Sequence, residues 1–176
     1  VAETQLNLAA ARAEAGRLAE AAASTREVIR VWTASLGPTH PNVGAARANL
    51  ADLLRRLGDA EQARAEVTTA LADLEAALGP SHLDLGFPLV TLARLELAAG
   101  HLAAAERAVL RALEIRTASG ALGELASTRS VAAQVLAATG SDPPRVRELA
   151  TQALAELVDT PATREDRAAL ATLLAR

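Results

Sequence analysis

A chain of 176 residues that is 51% hydrophobic has enough apolar material for a core, which excludes a disordered segment, but aromatics are only 1% of it, with Trp32 and Phe87 as the whole supply. Eighteen basic residues, all of them Arg, against 21 acidic ones give a formal net charge of -3, too weak a positive field to gather nucleic acid or an anionic membrane surface. The absence of Cys excludes disulfides and thiolate metal sites and fits a reducing cytoplasm, and no apolar run reaches the roughly 18 residues needed to span a bilayer.

A core of Ala and Leu suits closely packed helices, and the scarcity of β-branched and aromatic residues argues against sheets. The spacing predicts a first helix over 2–15 and a second over 17–35, separated by Gly16. "LGPTHP" at 36–41 then stops one helix at Gly37-Pro38 and starts another, with Thr39 as cap and Pro41 in the first turn. The third helix, 41–57, carries Ala46, Leu50, Leu53, Leu54 and Leu57 on one stripe and ends at Gly58, a residue that tolerates positive φ. The fourth, 60–78, carries Ala63, Val67, Ala70, Leu71, Leu74 and Leu78. "LGPSHL" at 78–83 repeats the joint, with Ser81 as cap, and helices over 83–99 and 102–118 follow on either side of Gly100. The next joint, "SGALGEL" at 119–125, has lost Pro and His. Beyond it the pattern predicts helices over 122–139, 143–158, with Ser141 or Asp142 as cap, and 162–175. In the last, Leu170, Leu173 and Leu174 share a face and "REDR" at 164–167 reads as a solvated charge run.

The joints are forty-two residues apart, and other residue types keep the same interval: "NLA" at 7–9 and 49–51, Gly16, Gly58 and Gly100, Ala21, Ala63 and Ala105. A helix pair cannot bury its own stripes, so the expected fold is all-α, a right-handed solenoid of stacked antiparallel pairs. Its repeats fall at about 1–42, 43–84, 85–124 and 125–158, with a capping helix over 160–176. A start at Val1 within a helical pattern, with no Met anywhere, reads as a piece of a longer protein, and the Arg-only, Ala-rich composition as a bacterial one.

Gly at the inter-helix turn, Ala five residues later and Ala seven further on, after "NLA" in the first helix, resemble the tetratricopeptide repeat. The period and the "LGPTHP" and "LGPSHL" joints are similar to its kinesin-light-chain-type variant, most clearly over residues 1–118. The resemblance implies a curved scaffold whose first helices line a concave groove for a peptide or another protein's helix. Its groove positions fall on Glu3, Leu6, Asn7, Ala10 and Glu14, then on Ala45, Ala48, Asn49, Asp52, Arg55 and Arg56. In the third and fourth repeats they fall on Phe87, Val90, Thr91 and Arg94, and on Ser127, Ser130, Val131 and Gln134. Asn7 and Asn49 match an Asn that bonds ligand backbone, although an amide beside an apolar stripe equally suits a bond to a neighbouring repeat. The Lys-rich pattern of the chaperone-tail clamp is missing, which excludes that ligand class.

Arg55, Arg56 and Arg94 form a candidate patch for acidic peptides, one that Glu3, Glu14 and Asp52 on the same surface would neutralise. Phe87 is the one aromatic on the expected groove wall, whereas Trp32 reads as packing on the convex side. His40 and His82 sit in the joints as structural turn residues, and His101 at a helix start reads as solvent-exposed. No convergent metal ligands, cofactor motif, Gly-rich phosphate loop, "HRD", "DFG" or "GxSxG" is present. The expectation is therefore a non-catalytic scaffold with a protein or peptide partner and no nucleic acid or membrane. Two alternatives stand beside it: the C-terminal arm of a bacterial serine/threonine protein kinase, whose similar repeats this chain resembles in style, and a self-assembly element. The oligomeric state stays open.

Overall fold

Ala- and Leu-rich segments bounded by capping residues fold as helices, and the computed structural model describes residues 2–120, 122–160 and 163–175 of the chain. In order these helices are α1 (Ala2–Glu14), α2 (Leu18–Leu36), α3 (Pro41–Leu57), α4 (Ala60–Leu78), α5 (Gly86–Ala98), α6 (Leu102–Ser119), α7 (Leu122–Thr139), α8 (Pro143–Glu156) and α9 (Arg164–Leu174). No strand occurs among the described residues. The expected single helix over 83–99 is divided: Leu83–Leu85 forms a 3-10 turn and α5 begins at Gly86. Pro88 is the cause, since it has no N–H for the Asp84 carbonyl and its ring would collide with that carbonyl in a continuous α-helix. The eighth helix stops two residues before 158, and the ninth starts at Arg164, with Ala162 outside the described residues.

Two caps are corrected. Thr39 and Ser81 were the expected N-caps, but the histidines after them do that work: the His40 Nδ1 accepts from the Asn42 N–H at 3.1 Å and the His82 Nδ1 from the Asp84 N–H at 3.3 Å. The chain stays extended through His40 (φ -66, ψ 138), so its ring reaches the N–H two residues on, and Thr39 stands one residue too early. At α8 the cap is Asp142, whose carboxylate accepts from the Arg145 N–H at 3.1 Å. Within each pair the turn is closed by glycine. Gly58, in the left-handed region at φ 85, ψ 4, donates its N–H to the Arg55 carbonyl while Asp59 donates to Leu54, the two bonds of a Schellman motif. The same two bonds recur at Gly16, Gly100 and Gly140.

The pairs α1/α2, α3/α4, α5/α6 and α7/α8 stack in order, each second helix packing on the next first helix. Small residues allow the close contacts: Ala63, Ala70, Ala105 and Ala112 are wholly buried, with Val67, Leu74, Val109 and Leu149 filling the spaces between helices. First helices also touch one another, α3 with α5, α5 with α7 and α7 with α9, whereas α4 and α6 make no comparable contact. Helices closer on one side than on the other make a curved stack, with the first helices on its inner face.

A candidate binding groove on the inner face

On α3 the three- and four-residue spacing separates two faces. Leu50, Leu53 and Leu54 are buried in the stack, while Asn49, Asp52, Arg55 and Arg56 lie toward the curve's interior. Three adjoining depressions follow that interior. One of about 350 Å³ between α1 and α3 is lined by Asn7, Glu14, Asn49 and Arg56. A second of about 570 Å³ runs from Ala45 and Asn49 to Pro88 and Glu124. The third, also about 570 Å³, takes in Asp52, Arg55, Thr91, Arg94 and Ser127 and reaches Glu165 and Asp166 of α9. Phe87 borders all three and is 37% exposed, a large apolar ring left in the open at their junction.

Of the expected groove positions, Asn7, Asn49, Asp52, Arg55, Arg56, Phe87, Thr91 and Arg94 border these adjoining depressions. Gln134 lies outside their lining and donates from Nε2 to Ser130 at 3.1 Å and to Asp166 at 3.2 Å. Thr91 is buried and contributes only wall, and Ser130 and Val131 are buried beneath it. The Glu3 side chain lies outside the described residues. The Asn49 amide makes no hydrogen bond to a described residue.

All three groove arginines hold acceptors already. Arg55 donates from Nε and Nη2 to one Asp52 oxygen at 3.0 and 2.9 Å, and Arg56 reaches the Ala13 carbonyl of α1 at 3.3 Å. Arg94 forks onto Asp166, Nη1 to Oδ1 at 3.1 Å and Nη2 to Oδ2 at 2.6 Å. The neutralising carboxylates are thus Asp52 and Asp166, and the second was not foreseen: "REDR" is no uniform solvated face. Arg164 and Glu165 are exposed, but Asp166 is buried, and Arg167 donates to the Leu154 and Leu157 carbonyls. The signal for Asp166 is its spacing, four residues before Leu170, which puts it on the packed side of α9.

Two further charges are buried outside this set. Burial pushes the Glu96 carboxyl up, but hydrogen bonds from Arg64 and His101, and attraction to both, outweigh it and leave the group below its usual value. The exposed His101 side chain is thereby committed, its Nδ1 2.8 Å from Glu96. Burial lowers the Arg116 guanidinium below its usual value against the opposing pull of Glu124. Trp32 is half-buried. Among the described residues no group of three or more His, Asp or Glu could hold a metal ion, and no helix is long and apolar enough to cross a membrane.

The sequence matches the tetratricopeptide repeat family model over residues 1–76 and 49–118. The chain belongs to the tetratricopeptide repeat family. Two solved structures share its fold. A Podosopora anserina protein described as a kinesin light chain with nearly identical TPR-like repeats superposes with a TM-score of 0.74 at 20% identity, over 98% of this chain and 83% of that one. BtubC (BKLC) from P. vanneervenii superposes with a TM-score of 0.72 at 20% identity, over 91% of this chain and 66% of that one. Comparison with curated proteins gives no match. Tetratricopeptide repeats generally mediate protein–protein interaction, and their fold is typically non-catalytic.

Proposed function

We propose that this tetratricopeptide-repeat chain is a non-catalytic scaffold that holds a peptide or protein segment along the inner face. The observation that carries the reading is Phe87: an exposed aromatic ring at the meeting point of three depressions, flanked by the Asn49 amide, which bonds no described residue. A ring of this kind supplies rigid apolar contact area at little entropic cost, and a nearby amide can both donate to and accept from a ligand's backbone. The arginines add position more than affinity, because Arg55 and Arg94 already hold Asp52 and Asp166 in partly buried pairs, and a ligand acid would have to replace those carboxylates rather than meet a free charge.

The test is selection of a displayed peptide library on the wild-type chain, followed by fluorescence anisotropy of the selected peptides against variants. Phe87→Ala is expected to raise Kd roughly ten-fold or more and Asn49→Ala by less, with unchanged helical circular dichroism. Peptides that bind both variants as tightly as wild type overturn the reading. Arg94→Glu is a poor probe here, since it would set a like charge against Asp166.

A further inference from the structure

The last helix stands where the repeat would not put it. Asp166 comes forty-two residues after Glu124, a first-turn residue of α7, and regular stacking would lay it beside that turn. It bonds Gln134 instead, ten residues and about 15 Å further along α7. It also bonds Arg94 on α5, one first helix further into the curve. The hold on α9 is lighter than on the middle helices: two of its residues, Asp166 and Leu170, are buried, with Leu173 and Leu174 partly buried and Arg167 bonded to the Leu154 and Leu157 carbonyls, whereas α3 and α5 each bury eight. Arg94 offers a planar fork that matches both carboxylate oxygens, and the Gln134 amide adds a third donor to Oδ1. That donor set recognises a carboxylate, and the chain's own helix fills it.

We infer that α9 is a detachable occupant of the groove, docked through the Asp166 carboxylate, and that a partner segment using Arg94 and Gln134 carries an acidic side chain there and displaces α9. The displacement rests on the groove reading above; the docking does not. An amide in place of the carboxylate keeps one acceptor oxygen and turns an amino group toward the arginine, so Asp166→Asn should undock the helix without removing bulk.

Hydrogen–deuterium exchange on the full chain tests the docking with no ligand present. In Asp166→Asn and in Arg94→Ala the α9 amides should exchange on the order of ten- to a hundred-fold faster than in wild type, with α3 to α6 unchanged and Thr172→Ala, an exposed site, unaffected. A labelled peptide of residues 163–175 should then bind the Asp166→Asn chain in trans, fail on the Arg94→Ala/Asp166→Asn chain, and be out-competed by itself but not by its Asn version. Wild-type exchange of α9 in Asp166→Asn overturns the inference. So does faster exchange of α7 and α8 together with α9, which would make the pair a brace of the whole end. Open α9 alongside selected peptides indifferent to Phe87 would instead sink the groove reading and leave the docking standing.

Discussion

Repeats two and three share a backbone plan, but at two buried positions a leucine of the second is replaced by a charged residue in the third. Leu54 and Leu74 of the second become, forty-two residues on, Glu96 and Arg116 of the third, and all four side chains are buried. The geometry around the second position is conserved in both. A Cβ on Gly44 would meet the Leu74 Cγ at 2.9 Å, and one on Gly86 would meet the Arg116 Nε at 2.6 Å. The two charges of repeat three do not pair with each other. Glu96 is served from behind by Arg64 of α4 and by His101. Arg116 is served from ahead by α7, donating to the Glu124 carbonyl at 3.1 Å, to the Glu124 carboxylate at 2.6 Å and to the Thr128 hydroxyl. A buried position in a solenoid is thus set by what the adjoining repeat can offer, so a charge can stand where the period calls for leucine.

The largest effect should come from exchanging the two solutions. The residues that would have to serve an arginine at position 74 are His82 and Gly86, the counterparts of Glu124 and Thr128, and the His82 Nδ1 already caps the next turn. Leu74→Arg therefore buries a charge with no carboxylate, and a loss of more than about 4 kcal/mol is expected, read by urea unfolding or as failure to fold. The reverse change, Arg116→Leu, removes a buried ion that leaves its Nε without a partner, and is expected to shift stability by no more than about 1 kcal/mol in either direction. Equal losses in the two variants would refute the view that neighbours decide.

Next in size are the glycines. Gly86→Ala is expected to cost about 1–3 kcal/mol, since the guanidinium it would strike is pinned by α7 and cannot swing away. In Gly86→Ala/Arg116→Ala the clash is gone, so the double variant should be more stable than the sum of the single losses predicts. Strict additivity would show that the close approach exerts no strain.

Smaller again is Glu124→Ala. Glu124 is 61% exposed by side chain, so solvent screens the pair and about 1–2 kcal/mol is expected rather than the cost of an orphaned interior ion. Glu124→Gln, which keeps an acceptor for Arg116, should lose less. A Gln variant as unstable as the Ala one would mean that charge alone, not the hydrogen bond, holds the arginine.

The same contrast marks how far the sequence could be read. Helix positions and turns were legible because they depend on local periodicity, glycine stops and a register repeated several times, whereas the inner-face residues followed only from the resemblance to the tetratricopeptide repeat. The histidine caps were missed because Thr and Ser are the stronger caps by type, and only the extended backbone through His40 and His82 decides against them. Arg116 and Asp166 were illegible for a different reason: a charged residue on a helix reads as solvated unless its partner is known, and their partners lie 8 residues away on another helix and 72 residues away. The period itself carried a hint, since position 116 falls on the register of Leu74. Nothing local announced that Arg94 would meet a carboxylate from the far end of the chain.

The smallest effect separates the two charges of repeat three from each other. Arg116 remains charged at any ordinary pH, and Leu54 and Leu74 do not titrate, but Glu96 does. Its carboxyl is held below 4.5 in the folded chain, so protons bind it more weakly folded than unfolded. By linkage its contribution is fully present above that value and is lost as pH falls through the lowered folded one. Urea midpoints should therefore decline below about pH 4.5 more steeply in wild type than in Glu96→Gln, whose stability should sit lower at pH 7 and change less on acidification. Glu96→Leu, which restores the residue of repeat two, should flatten the same acid limb while Arg64 loses its partner. If all three chains decline in parallel, the acid sensitivity arises elsewhere and the Arg64–Glu96–His101 cluster acts only by shape.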